Sequence, residues 1–216
     1  LIHATMTREA ARTDGCRTPR VLVLGGTQFI GRHSVAELVA AGYAVTAVSR
    51  GRTASPFVRV PSVNHVHCDR TSDAFTAWLC QAESFHATVD FCAFSPADVT
   101  PVLEHLGARA GHYVFISSDS VYDVCDPREA TRRHGRLLES SAVRPEDSVR
   151  REELARADKY GSRKLEVEEL LASSNAASGF RYTTLRLPDV FGPHENTGRQ
   201  LALARRIRKN KRGGLS

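Results

Sequence analysis

The sequence predicts an α/β domain built on a doubly wound parallel sheet. Short apolar runs alternate along the chain with segments whose apolar residues recur at helical spacing. The first apolar run leads through a glycine-rich turn directly into a helical segment, and no internal repeat interrupts the alternation. Alternation of this kind places helices on both faces of a parallel sheet.

Each element follows from the composition of its run. The run 20–24 is apolar and ends in Gly-Gly, which indicates a buried strand entering a turn. Helical spacing then holds over 30–42, and Gly42 ends it. The segment 151–172 is rich in Glu, Leu, Arg and Lys, which predicts a helix, and the preceding polar segment 123–147 is a long loop. The other strands are predicted at 44–49, 63–68, 87–91, 112–117 and 182–187, and the other helices at 73–82 and 96–106.

The turn Gly25-Gly26-Thr27-Gln28-Phe29-Ile30-Gly31 has the spacing of a pyrophosphate-binding site. Gly25 permits the tight turn, the amides that follow face the phosphates at a helix N-terminus, and Gly31 lets helix and strand approach closely. The middle glycine of G-x-G-x-x-G is absent, so an ordinary strand-to-helix turn is the alternative. The strand before the turn and the helix after it favour a dinucleotide site.

The end of the second strand bears on the choice of dinucleotide. It carries Ser49-Arg50-Gly51-Arg52 and has no carboxylate to hold the ribose 2′-hydroxyl of NAD. The guanidinium of Arg50 suits the 2′-phosphate of NADP, whose oxygens accept a bidentate fork. We therefore predict NADP as the preferred cofactor and NAD as the second choice; a solvent-exposed arginine without a role is the alternative.

A tyrosine, a lysine and a serine-rich strand end supply the candidate chemistry. Tyr160 and Lys164 lie one turn apart on the predicted helix, where the ammonium would lower the pKa of the phenol and allow proton exchange with a substrate hydroxyl. Ser117-Ser118-Asp119-Ser120 follows a central strand at the edge where open α/β sheets bind ligands. The combination predicts hydride chemistry on a small molecule; a chance Tyr-x-x-x-Lys and turn-forming serines are the alternative.

Charge and cysteine content limit the partners and the compartment. The net charge of +6 resides in residues 205–212, which hold six cations and no acid. The interpretations of this segment are a solvated helix end, a phosphate-contacting tail and a docking peptide. The five cysteines are widely spaced without a Cys-x-x-Cys pair, so we predict neither disulfides nor a metal site. No apolar stretch approaches the roughly 18 residues of a membrane span, so we expect no membrane partner and an intracellular, cytoplasmic protein. Four arginines in residues 1–20 leave a trimmed mitochondrial or plastid targeting segment open.

Five motifs stand in the order of a known enzyme family: Leu24 to Gly31, Cys68-Asp69-Arg70, Ser117 to Tyr122, Tyr160 to Lys164, and Leu185 to Pro193. Through them, residues 20–200 resemble the extended and atypical short-chain dehydrogenase/reductases, in the NAD-dependent epimerase/dehydratase group. The resemblance implies a Rossmann domain that binds NAD(P).

The resemblance also implies roles for individual residues. Ser118, Tyr160 and Lys164 would form a catalytic triad, with Tyr160 as acid/base and Lys164 also contacting the nicotinamide ribose. Asp119 would be a secondary acid that assists loss of water. The full set of predicted cofactor contacts is Gly25, Gly26, Thr27, Gln28, Phe29, Ile30, Gly31, Arg50, Asp69 (at the adenine), Arg70, Tyr160, Lys164 and Pro188.

The chain departs from the family pattern at three places. Gln28 replaces the glycine usual in nucleotide-sugar epimerases, which looks more like the atypical members, among them chloroplast stem-loop RNA-binding proteins. Asp189 stands where an asparagine commonly contacts a sugar-nucleotide diphosphate, and a carboxylate there would repel phosphate. Family members generally continue into a C-terminal substrate lobe, whereas this sequence ends at Ser216, so we expect that lobe to be largely missing.

We predict three regions: a flexible extension at 1–19, the NAD(P)-binding domain at 20–200, and a basic tail or the start of a truncated substrate lobe at 201–216. The predicted function is hydride transfer at a secondary alcohol or ketone of a sugar-like or related small substrate. The alternatives are a non-catalytic, cofactor-binding scaffold subunit of a larger assembly, and RNA binding through the tail. A homodimer through helices flanking Tyr160 is implied by the resemblance only.

Overall fold

A computed structural model describes residues 18–126, Arg128 and residues 137–213. Its centre is a six-stranded sheet in which every neighbouring pair is parallel. The strands are β1 (Arg20–Leu24), β2 (Ala44–Ser49), β3 (Val63–His67), β4 (Ala87–Asp90), β5 (His112–Ser118) and β6 (Tyr182–Leu187). Their order is β3-β2-β1-β4-β5-β6, which confirms the predicted doubly wound sheet.

Helices cover both faces of the sheet. They are α1 (Phe29–Ala40), α2 (Asp73–Gln81), α3 (Pro96–Pro101), α4 (Ser148–Ala157), α5 (Lys159–Ser178) and α6 (Arg199–Gly213). Leu22 and Leu24 of β1 join the core cluster that contains residues of α2, α3 and α5. Val21 and Val23 join the cluster that contains residues of α1. Successive side chains of one strand therefore enter two cores, as a sheet buried on both faces requires.

Two predicted helices differ from the structure. The helix predicted over 151–172 is two helices, because Asp158 adopts a non-helical backbone and its carboxylate accepts hydrogen bonds from the first amides of α5. The helix predicted over 96–106 is α-helical only to Pro101 and continues as a π turn over Val102–Leu106. A proline inside a helix has no amide to donate, which favours a change of hydrogen-bond register there.

The ends of the predicted organisation lie partly outside the described residues. This holds for the extension 1–19, apart from its last two residues, for part of the loop 123–147, and for the last three residues of the tail 201–216. The described part of that loop contains a 3-10 turn at Glu139–Ser141, and another 3-10 turn, Asp119–Val124, overlaps its first two residues. None of the helices within the described ranges combines the length and apolar character needed to cross a membrane.

The topology fixes where a ligand site belongs. The strand order reverses between β1 and β4, and the carboxyl ends of all six strands lie on one edge of the sheet. Doubly wound sheets bind ligands in the crevice outside this edge, at the point of reversal. The segments that follow β1, β4 and β5 therefore define the candidate site.

Candidate functional site

The glycine turn after β1 lies against the end of β4. Gly25 has a φ of +89°, and a Cβ there would lie 3.2 Å from the Cβ of Cys92. A Cβ on Gly31 would overlap the carbonyl oxygen of Gly25, so only glycine lets the first turn of α1 pack against the loop. A Cβ on Gly26 would lie 2.8 Å from Val35 Cγ2. All three glycines are required by close packing at the switch point of the sheet.

The N-terminus of α1 has the features of an anion-binding site. The helix has no acidic residue in its first turn, and the N-cap residue Gln28 makes no side-chain capping hydrogen bond. The first amides of such a helix carry partial positive charge without an internal partner. Thr27 and Ile30 are half-buried beside them, and Phe29 holds a left-handed φ of 39°, which is rare outside glycine. The glycine cradle and the uncapped amides fit the pyrophosphate of a dinucleotide.

Gln28 links the glycine turn to two distant segments. Its Nε2 donates to Thr53 Oγ1 at 2.5 Å, and its Oε1 accepts from Asn196 Nδ2 at 2.6 Å. Nearby, His33 Nε2 lies 3.0 Å from the carbonyl oxygen of Pro193. The segment after β6 thus returns to α1. Sequence reasoning missed this link because a hydrogen bond between residues so far apart leaves no trace in local spacing.

Arg50 and Asp69 lie at one corner of the site. Arg50 is exposed directly after β2, and Asp69 follows β3. The Asp69 carboxylate accepts hydrogen bonds from the amide and hydroxyl of Thr71, and these bonds, with the charges of Arg50 and Arg52, lower its pKa. The structure therefore brings together the residues predicted for the adenosine end of the cofactor.

Arg70, a predicted cofactor contact, is directed into the protein. Its NH1 and NH2 lie 3.0 and 2.8 Å from the two carboxylate oxygens of Asp90 at the end of β4, and NH2 also donates to the carbonyl oxygen of Asp98. Its side chain is 11% exposed. In this structure the guanidinium is a core ion-pair partner. Asp90 was missed from the sequence, although a carboxylate inside the apolar run 87–91 demands a buried partner.

Lys164 is the most constrained of the predicted catalytic residues. It is 2% exposed, and its ammonium donates to the carbonyl oxygens of Ala93 at 2.7 Å and Ile116 at 2.8 Å. The rings of Phe94 and Phe115 lie within 5.1 Å of the ammonium. Burial lowers the pKa of Lys164 to about 8. At this pKa the group is mainly a cation at neutral pH, and the carbonyl oxygens and the rings contact that cation.

Tyr160 lies next to this ammonium, which is 5.7 Å from the phenol ring centroid. The predicted direction of its pKa shift is wrong. Partial desolvation raises the pKa of Tyr160, which remains 44% exposed, and the nearby Ser118 hydroxyl and the charge of Arg199 only oppose that rise. Desolvation is the largest influence on the phenol, and the ammonium nearby does not reverse the shift. Tyr160 is a neutral phenol at physiological pH in this structure.

Ser118 completes the group. It ends β5, is 9% exposed, and its hydroxyl oxygen accepts from the amide of Ser120 at 3.2 Å. A Cβ on Gly161 would overlap the carbonyl oxygen of Ser120, so the start of α5 packs directly on the serine turn. Asp119 Oδ1 lies 3.3 Å from the Ser118 hydroxyl. The fold thus brings the predicted triad of Ser118, Tyr160 and Lys164 close together, with Asp119 beside Ser118.

The last predicted contact, Pro188, is exposed directly after β6. Asp189, which follows it, pairs with Arg199 at the start of α6. Its carboxylate therefore has a cationic partner, which reduces the repulsion that Asp189 would exert on a phosphate.

Comparison with known proteins agrees with this architecture. The NAD dependent epimerase/dehydratase family matches residues 21–215. The chain is 28% identical over 187 residues to the chloroplast stem-loop binding protein of 41 kDa b from Arabidopsis thaliana, with 81% of this chain and 43% of that protein covered. It is 25% identical over 190 residues to a UDP-glucose 4-epimerase from Lactobacillus helveticus, with 80% and 52% covered.

A solved structure of the same kind is UDP-glucose 4-epimerase from Brucella ovis in complex with NAD. It is 26% identical with a TM-score of 0.57, and the match covers 78% of this chain and 51% of the other. The chain spans about half the length of the curated relatives it matches. Since the family match extends over nearly all of the strands, helices and site residues described above, the chain belongs to the NAD-dependent epimerase/dehydratase family.

Proposed function

We propose that the protein is an NAD(P)-dependent oxidoreductase of the epimerase/dehydratase type, acting at a secondary alcohol or ketone of a sugar-like or related small substrate. One observation carries the proposal: Ser118, Tyr160 and Lys164 converge at the carboxyl edge of the sheet that also carries the glycine turn. The nicotinamide of a bound dinucleotide supplies hydride transfer in this chemistry.

The residues of the chain handle the oxygen and its proton. Ser118 holds the reacting oxygen with its hydroxyl, and Tyr160 donates a proton to it or takes one from it. Because the pKa of Tyr160 is raised, the phenol is in the donor form at neutral pH, which suits reduction of a carbonyl. Lys164 lies beneath the phenol as a cation and favours the phenolate that remains after transfer.

NADP is the proposed cofactor of choice. The support is the exposed Arg50 directly after β2, which together with Arg52 acts electrostatically on the partly exposed carboxylate of Asp69. A guanidinium at this place pairs with a 2′-phosphate, which NAD lacks.

Calorimetric titration of the chain with NADPH and with NADH tests the cofactor proposal. We expect tighter binding of NADPH than of NADH, and we expect Arg50→Ser to lose this difference. Equal affinity for the two cofactors in the wild type and in the variant would refute the NADP preference. Binding of neither cofactor would refute the proposed dinucleotide site.

Hydride transfer to a panel of sugar nucleotides and small ketones then tests the reaction. Tyr160→Phe should abolish turnover and leave cofactor affinity within about threefold of the wild type. Unchanged turnover would exclude Tyr160 from the mechanism.

RNA binding is the second candidate, because helix α6 contains the run of six cations at 205–212 and one relative is named a stem-loop binding protein. Retention of a stem-loop RNA that weakens with salt and is lost on deletion of residues 205–212 supports it. Absence of binding at low salt excludes it.

A further inference from the structure

A buried ion pair lies beneath the end of β4. Asp90 is fully buried, and both of its carboxylate oxygens face the guanidinium of Arg70. A buried carboxylate without a partner costs several kcal/mol, so the two charges depend on each other. The pair lies at the switch point of the sheet, under the glycine turn, where Arg70 NH1 also lies 3.2 Å from Cys92 Sγ.

Asp90 also organises the backbone that follows it. Its Oδ1 accepts from the amides of Cys92 and Ala93, both at 2.9 Å, and its Oδ2 accepts from the Tyr113 hydroxyl at 2.7 Å. Together with Arg70, these donors supply the carboxylate with hydrogen bonds from several directions. The turn over residues 90–93 is therefore held in one conformation from inside the protein.

This turn presents the carbonyl oxygen of Ala93 to Lys164. The distance from Nζ to that oxygen is 2.7 Å, and the second carbonyl, from Ile116, belongs to β5. We propose that Asp90, held by Arg70, is a positioning residue for Lys164: it fixes the turn whose carbonyl binds the ammonium and places a negative charge near that ammonium. The functional meaning of the inference rests on the role proposed above for Lys164.

The electrostatic surroundings of Lys164 agree with this assignment. Burial lowers its pKa most, and the Asp90 carboxylate is the strongest influence that raises it. The charged and titratable groups that act on it are Asp90, Cys92, Arg70 and Asp98, and the rings that cover it are Phe94, Phe115 and Tyr160. Without Asp90, the remaining guanidinium of Arg70 would repel the ammonium.

The lysine content of the chain permits a direct test. There are only four lysines, at 159, 164, 209 and 211. The titration of each can be followed by NMR of a protein with 13C-labelled lysine, and Lys164→Met assigns the signal. In Asp90→Asn, which keeps the shape but removes the charge, we expect the Lys164 signal to titrate about one pH unit or more below its wild-type midpoint.

A second variant covers the case in which Asp90→Asn does not fold. Arg70→Met/Asp90→Asn removes both charges of the buried pair, so neither is left without its partner. Lys164 should again titrate at a lower pH than in the wild type, because the attraction of Asp90 outweighs the repulsion of Arg70.

Glu168→Gln is the matched control: this carboxylate is also buried and paired with an arginine, Arg186, one turn further along α5. We expect it to destabilise the fold and to move Lys164 by less than half as much.

The outcomes separate this inference from the proposed function. A Lys164 midpoint unchanged in the folded Asp90 variants, or moved equally by Glu168→Gln, overturns the inference whatever the protein catalyses. A lowered midpoint in a protein without hydride transfer supports the inference and refutes the proposed reaction. The NMR measurement requires neither cofactor nor substrate, so the two results are independent.

Discussion

The charge on Lys164 has a measurable consequence for stability. The pKa of this residue is about 8 in the folded protein against an ordinary value of 10.5. Between these pH values the unfolded chain still holds the proton that the folded chain has released, so the free energy of unfolding contributed by Lys164 rises with pH.

We therefore predict that the difference in unfolding free energy between the wild type and Lys164→Met increases from pH 8 to pH 10.5, by up to about 3 kcal/mol. Urea denaturation of both proteins across this range measures it. Taking the difference removes the pH-dependent contributions of other groups. One of these is Cys92, whose pKa is raised by burial to about 12 and whose contribution has the opposite sign. A difference that stays flat or falls with pH would contradict the lowered pKa.

Gly31 provides a second prediction at the residue scale. In Gly31→Ala the new Cβ overlaps the carbonyl oxygen of Gly25, so the turn and the first helical amides must move apart. We expect a loss of about 1–3 kcal/mol in unfolding free energy and a roughly tenfold or greater weakening of dinucleotide binding, measured by denaturation and calorimetry. Gly192→Ala is the control, because a Cβ there meets nothing within 4 Å. Equal effects of the two substitutions would refute a cradle role for Gly31.

Local sequence was sufficient to predict the placement of some candidate site residues and not of others. The spacing of the glycines, Ser118, Tyr160 and Lys164 predicted residues that the fold does bring to one edge. It did not predict the direction of the Tyr160 pKa, because burial depends on helices packed from elsewhere in the chain. Nor did it predict the inward turn of Arg70, which depends on the pairing of β1 with β4 across the switch point.

At the scale of elements, the capping of α5 determines where Tyr160 lies. The Asp158 carboxylate accepts from the amides of Tyr160 and Gly161, both at 3.0 Å. Because the predicted single helix breaks at this residue, the first turn of α5 depends on this cap. The strands were predicted within one residue, since their apolar runs are bounded by clear turns, whereas this break depends on a side chain folding back on its own backbone.

We predict that Asp158→Ala destabilises the protein by about 1 kcal/mol and increases hydrogen exchange at the amides of Tyr160 and Gly161. The matched control is Asp147→Ala, which removes the same kind of cap from α4, a helix with no buried residues. The control should speed exchange at Val149 and Arg150 and leave the first turn of α5 unchanged. Fast exchange at Tyr160 in both variants would show that the two helices unfold together.

At the scale of the whole molecule, the excess of positive charge lies C-terminal to all of the candidate site residues. Without the six cations of residues 205–212, basic and acidic residues balance at 24 each. In α6, which begins at Arg199, Arg205 and Arg206 are exposed. A polyanion should therefore contact this helix first, because an unpaired cation releases more counterions on binding than one paired with a carboxylate.

The last prediction compares two charge changes of equal size. Arg205→Gln/Arg206→Gln should lower the salt concentration at which the protein elutes from heparin substantially more than Arg150→Gln/Arg156→Gln. The second pair lies on α4, where each arginine is matched by a glutamate, Glu153 or Glu152. Both variants lose two positive charges, so equal shifts would mean that net charge alone governs binding to polyanions. A larger shift for the α6 pair would identify the helix as the contact surface, and unchanged dinucleotide affinity in that variant would show that this surface acts independently of the candidate site.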